Sequence, residues 1–462
     1  MALVALAMVA IVAMAALSID IGTLYQASAE AQRAADAGAL AAARVISLSG
    51  ITGDPTNGPT DGSWSATCGG LSSAATLAAT SVAQQNLIGG AHASTINVYY
   101  GTSSGASTNP DCTGAGAAFG VNPVVTVYVQ QAKLPTFFAR VFSLIPGGTP
   151  STSGVSATAV AEVFNPSNSG SYATGGEVVP VQPRCVKPWI VPNKDPLNAP
   201  GCSPATCNNF VSTSAVPPQG SILNGGITYN GKAGVIGESF YLVPDCSAAG
   251  TCNSAAPFAS PPQANSVTPP TLPLPNLQYL PGQVLGSPVA VPSCGTTNPY
   301  QEAIAGCDQS TPYQCGVSAA SATQPSLVNL NENPSGAGGD TSTSAQCLIN
   351  QANVQDSLNT GVYPYQILAG KGNPLNVSGS AITSSSSIVS LPIYDGLALA
   401  TGTQQPAVTI VGFLQVFINS VDATGNLNVT VMNVAGCGNA VPSGATPVTG
   451  TSPVPVRLIT PP

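Results

Sequence analysis

Apolar side chains fill Met1 to Leu17 (MALVALAMVAIVAMAAL) without a single charge, and the first ionised residue is Asp20. Extended through Ile19 and Ile21, this stretch has roughly the 20 residues needed to cross a bilayer. The helical pattern then continues without a break. Thr23 to Ile46 is dense in Ala, lacks Pro, and sets Glu30, Arg33 and Asp36 at i,i+3 spacing, where opposite charges are neighbours. The pattern predicts one helix over residues 1–46, roughly 70 Å long. A 4-3-4-3 stripe runs along it: Leu17, Ile21, Leu24, Ser28, Ala31, Ala35, Gly38, Ala42 and Val45. Its small middle residues let helix backbones approach closely, so the stripe is expected to be a surface for packing against copies of the chain. Gly38 costs about 1 kcal/mol against Ala inside a helix, which calls for a packing reason. A simple anchor helix without partner helices is the plainer alternative.

Shorter periodic segments follow. Ser73 to Ile88 reads as a second helix, opened by Ser and followed by Gly89-Gly90. Thr95 to Tyr100, Val124 to Gln131 and Val155 to Phe164 alternate as strands, with Val125, Val127 and Val129 sharing one face. Between the last two, Pro135 to Leu144 reads as a short apolar helix. Pro166 to Gly176 has linker composition, and Pro261 to Pro275 is polyproline-like, a rigid strap. A final hairpin spans Val408 to Val434, turning at Asp422-Ala423-Thr424-Gly425. The expected fold is α+β. A long N-terminal helix packs on a small antiparallel or mixed sheet, and a disulfide-rich, mainly β domain follows. Its parts are a helix (1–46), an α+β domain (47–165), a linker (166–182) and a β domain (183–462).

Composition narrows the class. The chain has 462 residues, of which only 6 % are charged, against about a quarter in an ordinary cytosolic enzyme. Ser, Thr, Asn and Gln replace charge on the surface. A net charge of −8 with ten Lys and Arg argues against a nucleic-acid partner. Twelve cysteines suit an oxidising, extracytoplasmic compartment: Cys68, Cys112, Cys185, Cys202, Cys207, Cys246, Cys252, Cys294, Cys307, Cys315, Cys347 and Cys437. Pairing is not readable from spacing, but the natural local guesses are Cys202/Cys207, Cys246/Cys252 and Cys307/Cys315, with Cys68/Cys112 bracing the first domain.

Catalytic constellations are missing. His92 is the one histidine, and neither a nucleophile elbow nor a phosphate loop accompanies it. Glu238, Asp245, Glu302 and Asp308 could act together only if the fold joins them. The loop holding Asp54, Asn57 and Asp61 could hold calcium, though an Asx-turn needs no metal. No enzyme activity, metal or cofactor is expected. Asp20, at the membrane edge, is costly in lipid and either marks the helix exit or meets a donor on a neighbouring subunit.

The stretch Ala16-Leu17-Ser18-Ile19-Asp20-Ile21-Gly22 with Leu24-Tyr25, then Ala34-Ala35-Asp36-Ala37-Gly38-Ala39-Leu40-Ala41, resembles the amino-terminal signature of TadE/TadG-like proteins of Tad-type (Flp) pilus systems. Phe137-Phe138-Ala139-Arg140-Val141-Phe142 and Val155-Ser156-Ala157-Thr158-Ala159 are also similar to it. So, more loosely, are Cys185-Val186-Lys187-Pro188-Trp189 and Ile410-Val411-Gly412-Phe413. The resemblance implies a pilin-like protein, held in the inner membrane before assembly and then found in an extracellular filament of copies of itself. The pilus-assembly machinery would be a further partner. A membrane-anchored assembly accessory or a minor tip adhesin is the alternative. Pilins cut by prepilin peptidase carry a basic leader and Glu at the fifth mature position, whereas residue 5 here is Ala. Either the chain is not processed this way, or the leader lies outside it. A removed signal peptide fits poorly, because no Lys or Arg precedes Arg33. Some family members carry a metal site with the pattern D-x-S-x-S. Asp340-Thr341-Ser342-Thr343-Ser344 matches those letters but follows a Gly-rich run rather than a buried strand, so it is read as a chance match in a loop.

Overall fold

Helix α1 spans Ala2–Ser49 in the computed structural model of the chain. The structure describes residues 2–53, 62–134, 154–168, 172, 175–177, 179–197, 209–213, 220–229, 233–244, 272–282, 284–309, 313, 334–375, 377–395, 408–437 and 447–459. The loop at 54–61, the short helix expected at Pro135–Leu144 and most of the Pro-rich strap lie outside these residues. Helix α1 is rich in Ala and contains no Pro, and it ends where Gly50 takes a left-handed φ of 79°. A Cβ there would sit 2.6 Å from Ile236 Cγ2, so both conformation and space require glycine.

Two short helices follow, α2 (Ser63–Cys68) and α3 (Ala74–Gln85), then strand β1 (Thr95–Gly101), helix α4 (Ala117–Val121) and strands β2 (Val124–Gln131) and β3 (Val155–Val163). These strands pair antiparallel in the order β1-β2-β3. Helix α1 lies across β2 and β3, with α3 beside it. The buried face of the helix is Ala27, Ala31, Ala34, Ala35, Ala39, Ala42, Ala43 and Ile46, meeting Val125, Val127 and Val129 from the sheet. Small residues on the helix let it settle close to a β-branched sheet face. The fourth strand of this sheet arrives from the far end of the chain: β15 (Val456–Ile459) pairs antiparallel with β3. The 183–462 segment therefore closes the sheet of the 47–165 segment.

The remaining strands are β4 (Val181–Pro183), β5 (Trp189–Pro192), β6 (Ser239–Pro244), β7 (Asn276–Pro281), β8 (Ser357–Asn359), β9 (Gln366–Leu368), β10 (Ala381–Ile382), β11 (Ile388–Tyr394), β12 (Ile410–Val421), β13 (Leu427–Gly436) and β14 (Val448–Gly450). Helices α5 (Pro299–Ala305) and α6 (Pro334–Leu348) lie among them. Strands β12 and β13 are the hairpin read from the sequence, and its turn has Gly425 at φ 84°. They belong to a closed six-stranded barrel, β11-β12-β13-β6-β7-β5, with parallel pairs at β6/β7 and β5/β11. Side chains alternate between two cores. Trp189, Tyr279, Ile393 and Leu414 belong to one cluster, and their neighbours Ile190, Leu280, Tyr394 and Phe413 to another. Burial on both faces explains the unbroken apolar run Ile410-Val411-Gly412-Phe413-Leu414.

Disulfides join Cys68 to Cys112, Cys185 to Cys307 and Cys294 to Cys347. The local pairing of Cys307 with Cys315 is thereby corrected. Cys307 reaches back 122 residues, because the segment before β5 passes the C-terminal end of α5. Cys437 is also disulfide-bonded, while Cys202, Cys207, Cys246, Cys252 and Cys315 lie outside the described residues. The motif Cys185-Val186-Lys187-Pro188-Trp189 acquires a physical meaning here. Lys187 is buried, and its Nζ donates to Ala303 O, Ile304 O and Gly306 O at 3.2, 2.7 and 2.6 Å. Its amino group thus caps the carbonyls that end α5 and have no partner within the helix. Burial pushes its pKa down to about 7.

Candidate assembly surface

The face of α1 that its own core does not use lies towards the N-terminus. Leu3, Val4, Met8, Ile11, Val12, Met14, Leu17, Ile19 and Ile21 are all exposed, Leu3 at 84 %. Tyr25 extends this face at 75 % exposure. A contiguous apolar surface of this kind is larger than monomeric soluble proteins ordinarily leave in water, and marks a binding or membrane surface. Covering each of these larger side chains fully is worth about 1.5–3 kcal/mol. Among the described residues, no helix is long and apolar enough to cross a membrane.

The predicted stripe divides at the point where α1 meets the sheet. Leu17, Ile21 and Ser28 are exposed and Leu24 is half-buried, whereas Ala31, Ala35, Gly38 and Ala42 are buried in the chain's own core. These last four contact α3 and the sheet rather than a copy. Gly38 packs closely: a Cβ there would lie 3.2 Å from Ala79 O and 3.3 Å from Ala83 Cβ and Val127 Cγ1. Asp20 is 3 % exposed, so its carboxyl is covered rather than offered at the surface, and its backbone carbonyl accepts from Thr23 Oγ1 at 2.8 Å.

Polar side chains mark where the free half gives way to the packed half. Glu30 accepts from the Gly89 backbone N–H at 2.7 Å and from Gln26 Nε2 at 3.1 Å. The Gly89 bond, then Gln26, hold its pKa below the usual carboxylate value, and Arg33 adds a smaller push through space. Asp36 accepts from Gln32 Nε2 at 2.8 Å. The i,i+3 charge spacing of Glu30, Arg33 and Asp36 is thus served largely by i,i+4 glutamine bonds. Glu30 also lines a small cavity of about 190 Å³ with Leu24, Gly90 and Leu134.

The residues weighed for chemistry are dispersed. His92 Nδ1 donates to Gln84 O at 2.7 Å, as it must, since a carbonyl can only accept. Asp340 to Ser344 lie on helix α6, not in a loop. Asp340 accepts from Gln301 Nε2 and Asn298 Nδ2 at 2.6 and 2.9 Å, and Ser342 Oγ donates to Asp422 O at 2.7 Å. Thr341, between them, bonds the Tyr279 and Tyr300 hydroxyls. The letters of the metal pattern therefore face different partners, and no group of three metal-ligating side chains assembles among the described residues. Glu238 meets Asp195, a residue sequence reasoning passed over, rather than Glu302 or Asp308; Asp245 lies outside the described residues. Burial first, then the charge of Asp195 and its hydrogen bond, push Glu238 up to about 8. Nothing local in the sequence announces that pair.

Residues 1–45 match the family model described as "Tad: Putative Flp pilus-assembly TadE/G-like". No curated protein matches the chain, and no solved structure does. The N-terminal segment is thus similar to TadE/TadG-like proteins of Flp pilus assembly, which points to a pilus-related role.

Proposed function

We propose that the chain is a pilin-like structural subunit of a Tad/Flp-type bacterial filament, assembled through the N-terminal half of α1. One observation carries this reading: the apolar face from Leu3 to Ile21 is left open, while from Ala27 to Ile46 the same helix turns a buried face onto its own sheet and α3. Such a division separates a part that holds the subunit together from a part free to change neighbours. The uncharged run Met1 to Leu17 supports a stage in the inner membrane, where lipid covers that face before sister helices do. The disulfide-braced β region would then coat an extracellular filament. In this reading the chain is not an enzyme, takes no cofactor and binds no nucleic acid.

Surface filaments sheared from cells and purified provide the test. The chain is expected as their major band, and Met8→Asp is expected to abolish filaments while leaving the folded β region intact by near-UV circular dichroism. Filaments that lack the chain while it stays with membranes would assign it instead to the assembly accessories.

A further inference from the structure

A cavity of about 550 Å³ opens beside the C-terminal end of α1, between α3 and the small sheet β8–β10. Leu77 and Ala78 form one wall, and Tyr363, Tyr365, Ile367 and Ile382 the other. None of the described lining residues is charged. The walls are built rather than collapsed. Tyr363 Oη donates to Ser49 O at 2.7 Å and Tyr365 Oη to Thr228 O at 2.6 Å, with the two rings 5.8 Å apart. Both hydroxyls are engaged and both rings are buried, while Leu77 on the facing wall stands 56 % exposed. The volume lies within the range of about 300–1,000 Å³ typical of sites that take a ligand or an apolar anchor.

We infer that this cavity receives the N-terminal rod of a second copy of the chain, with Val4, Met8 and Ile11 as the seated face. This deepens the proposed function and rests on it. Those three residues fall at i, i+4 and i+7 on one side of α1, and each is more than 60 % exposed. That is the spacing by which an amphipathic helix anchors in an apolar groove. Charge matches too, since neither the described lining residues nor the chain before Asp20 carry a charged side chain. The rod cannot fill its own groove. From Ile11 to Val45 the helix is unbroken and spans roughly 50 Å, so the two complementary surfaces are held at opposite ends of one rigid element. Used head to tail, a plug and socket fixed apart in this way form a heterologous contact, which propagates into an open filament where its rotation does not close into a ring.

Photoreactive benzoylphenylalanine at Leu77 of the full chain, irradiated in assembled filaments, tests the contact. The expected product is a cross-link to a peptide within residues 1–14 of another copy. Leu77→Glu is expected to lower filament yield about tenfold or more, because the carboxylate would lose its water on seating the rod. Its thermal midpoint as a monomer should stay unchanged, since Leu77 is largely exposed, and Leu77→Met should assemble normally. Leu77→Glu assembling at wild-type yield, or adducts mapping outside the rod, would overturn the inference while leaving the proposed function standing. A wild-type chain that never enters filaments would defeat both.

Discussion

At the scale of single residues, the most unusual group is the Glu238 carboxyl against Asp195. Its pKa is raised by burial and by Asp195, to about 8, so the folded chain holds a proton there that the unfolded chain releases near pH 4.3. Across that interval the native state binds more protons, so this group's contribution to stability is complete at low pH and fades as pH rises towards 8. Urea unfolding at pH 5 and pH 8 should therefore show a lower midpoint at the higher pH. Glu238→Gln, which keeps a donor for Asp195 without the ionisation, should flatten that difference. An unchanged pH dependence in the variant would remove Glu238 as its source. Lys187 illustrates how little of this is legible locally. In the sequence it is a lysine before a proline, and its role as the cap of α5 exists only because Ala303 to Gly306 fold beside it.

At the scale of elements, local patterning carried much further. The helix expected over 1–46 is found at Ala2–Ser49, the strands at 95–100 and 124–131 stand at Thr95–Gly101 and Val124–Gln131, and the last hairpin is in place. These succeed because period and turn chemistry are local properties. The cost of Gly38 inside a helix calls for a packing partner, and that partner is the chain's own α3 and β2. Periodicity says which face is apolar and cannot say what covers it. Gly38→Val should drive a side chain into Ala79, Ala83 and Val127. We expect a loss of about 1–3 kcal/mol, read as a lowered thermal midpoint. A stability equal to wild type would mean that α1 can move away from the sheet, contrary to the packing described.

At the scale of the whole molecule, the connections that matter are long-range and left little trace in the sequence. The barrel's parallel pairs, the Cys185–Cys307 bridge and the return of β15 to the first sheet each join segments far apart. Local spacing favours the short loop Cys307/Cys315, whereas topology sets Cys185–Cys307. The base of α1 is tied into this closure: Asn433 Nδ2 donates to Ser47 O at 2.7 Å, and Ser47 Oγ to Val454 O at 2.9 Å. Strand β15 is fastened by Arg457 Nε to the fully buried Glu162 at 2.7 Å. Glu162 also accepts from the Tyr172 N–H at 2.8 Å. Arg457→Met would leave that carboxylate without its cation, a loss of about 3 kcal/mol since removing one partner of a buried pair costs about 3–5. Chemical denaturation is the measurement, and a change below about 1 kcal/mol, the worth of a surface pair, would show that Glu162 is satisfied by its other partners.

The position of β15 also sets a timetable. Glu162 and Arg457 are 295 residues apart in sequence, and at about 5–20 residues per second a ribosome needs roughly 15–60 s to travel between them. For that interval the outer margin of β3 has no neighbour, and an unclaimed strand margin invites pairing with whatever strand is near. A nascent chain of this kind benefits from being escorted until its closing strand arrives.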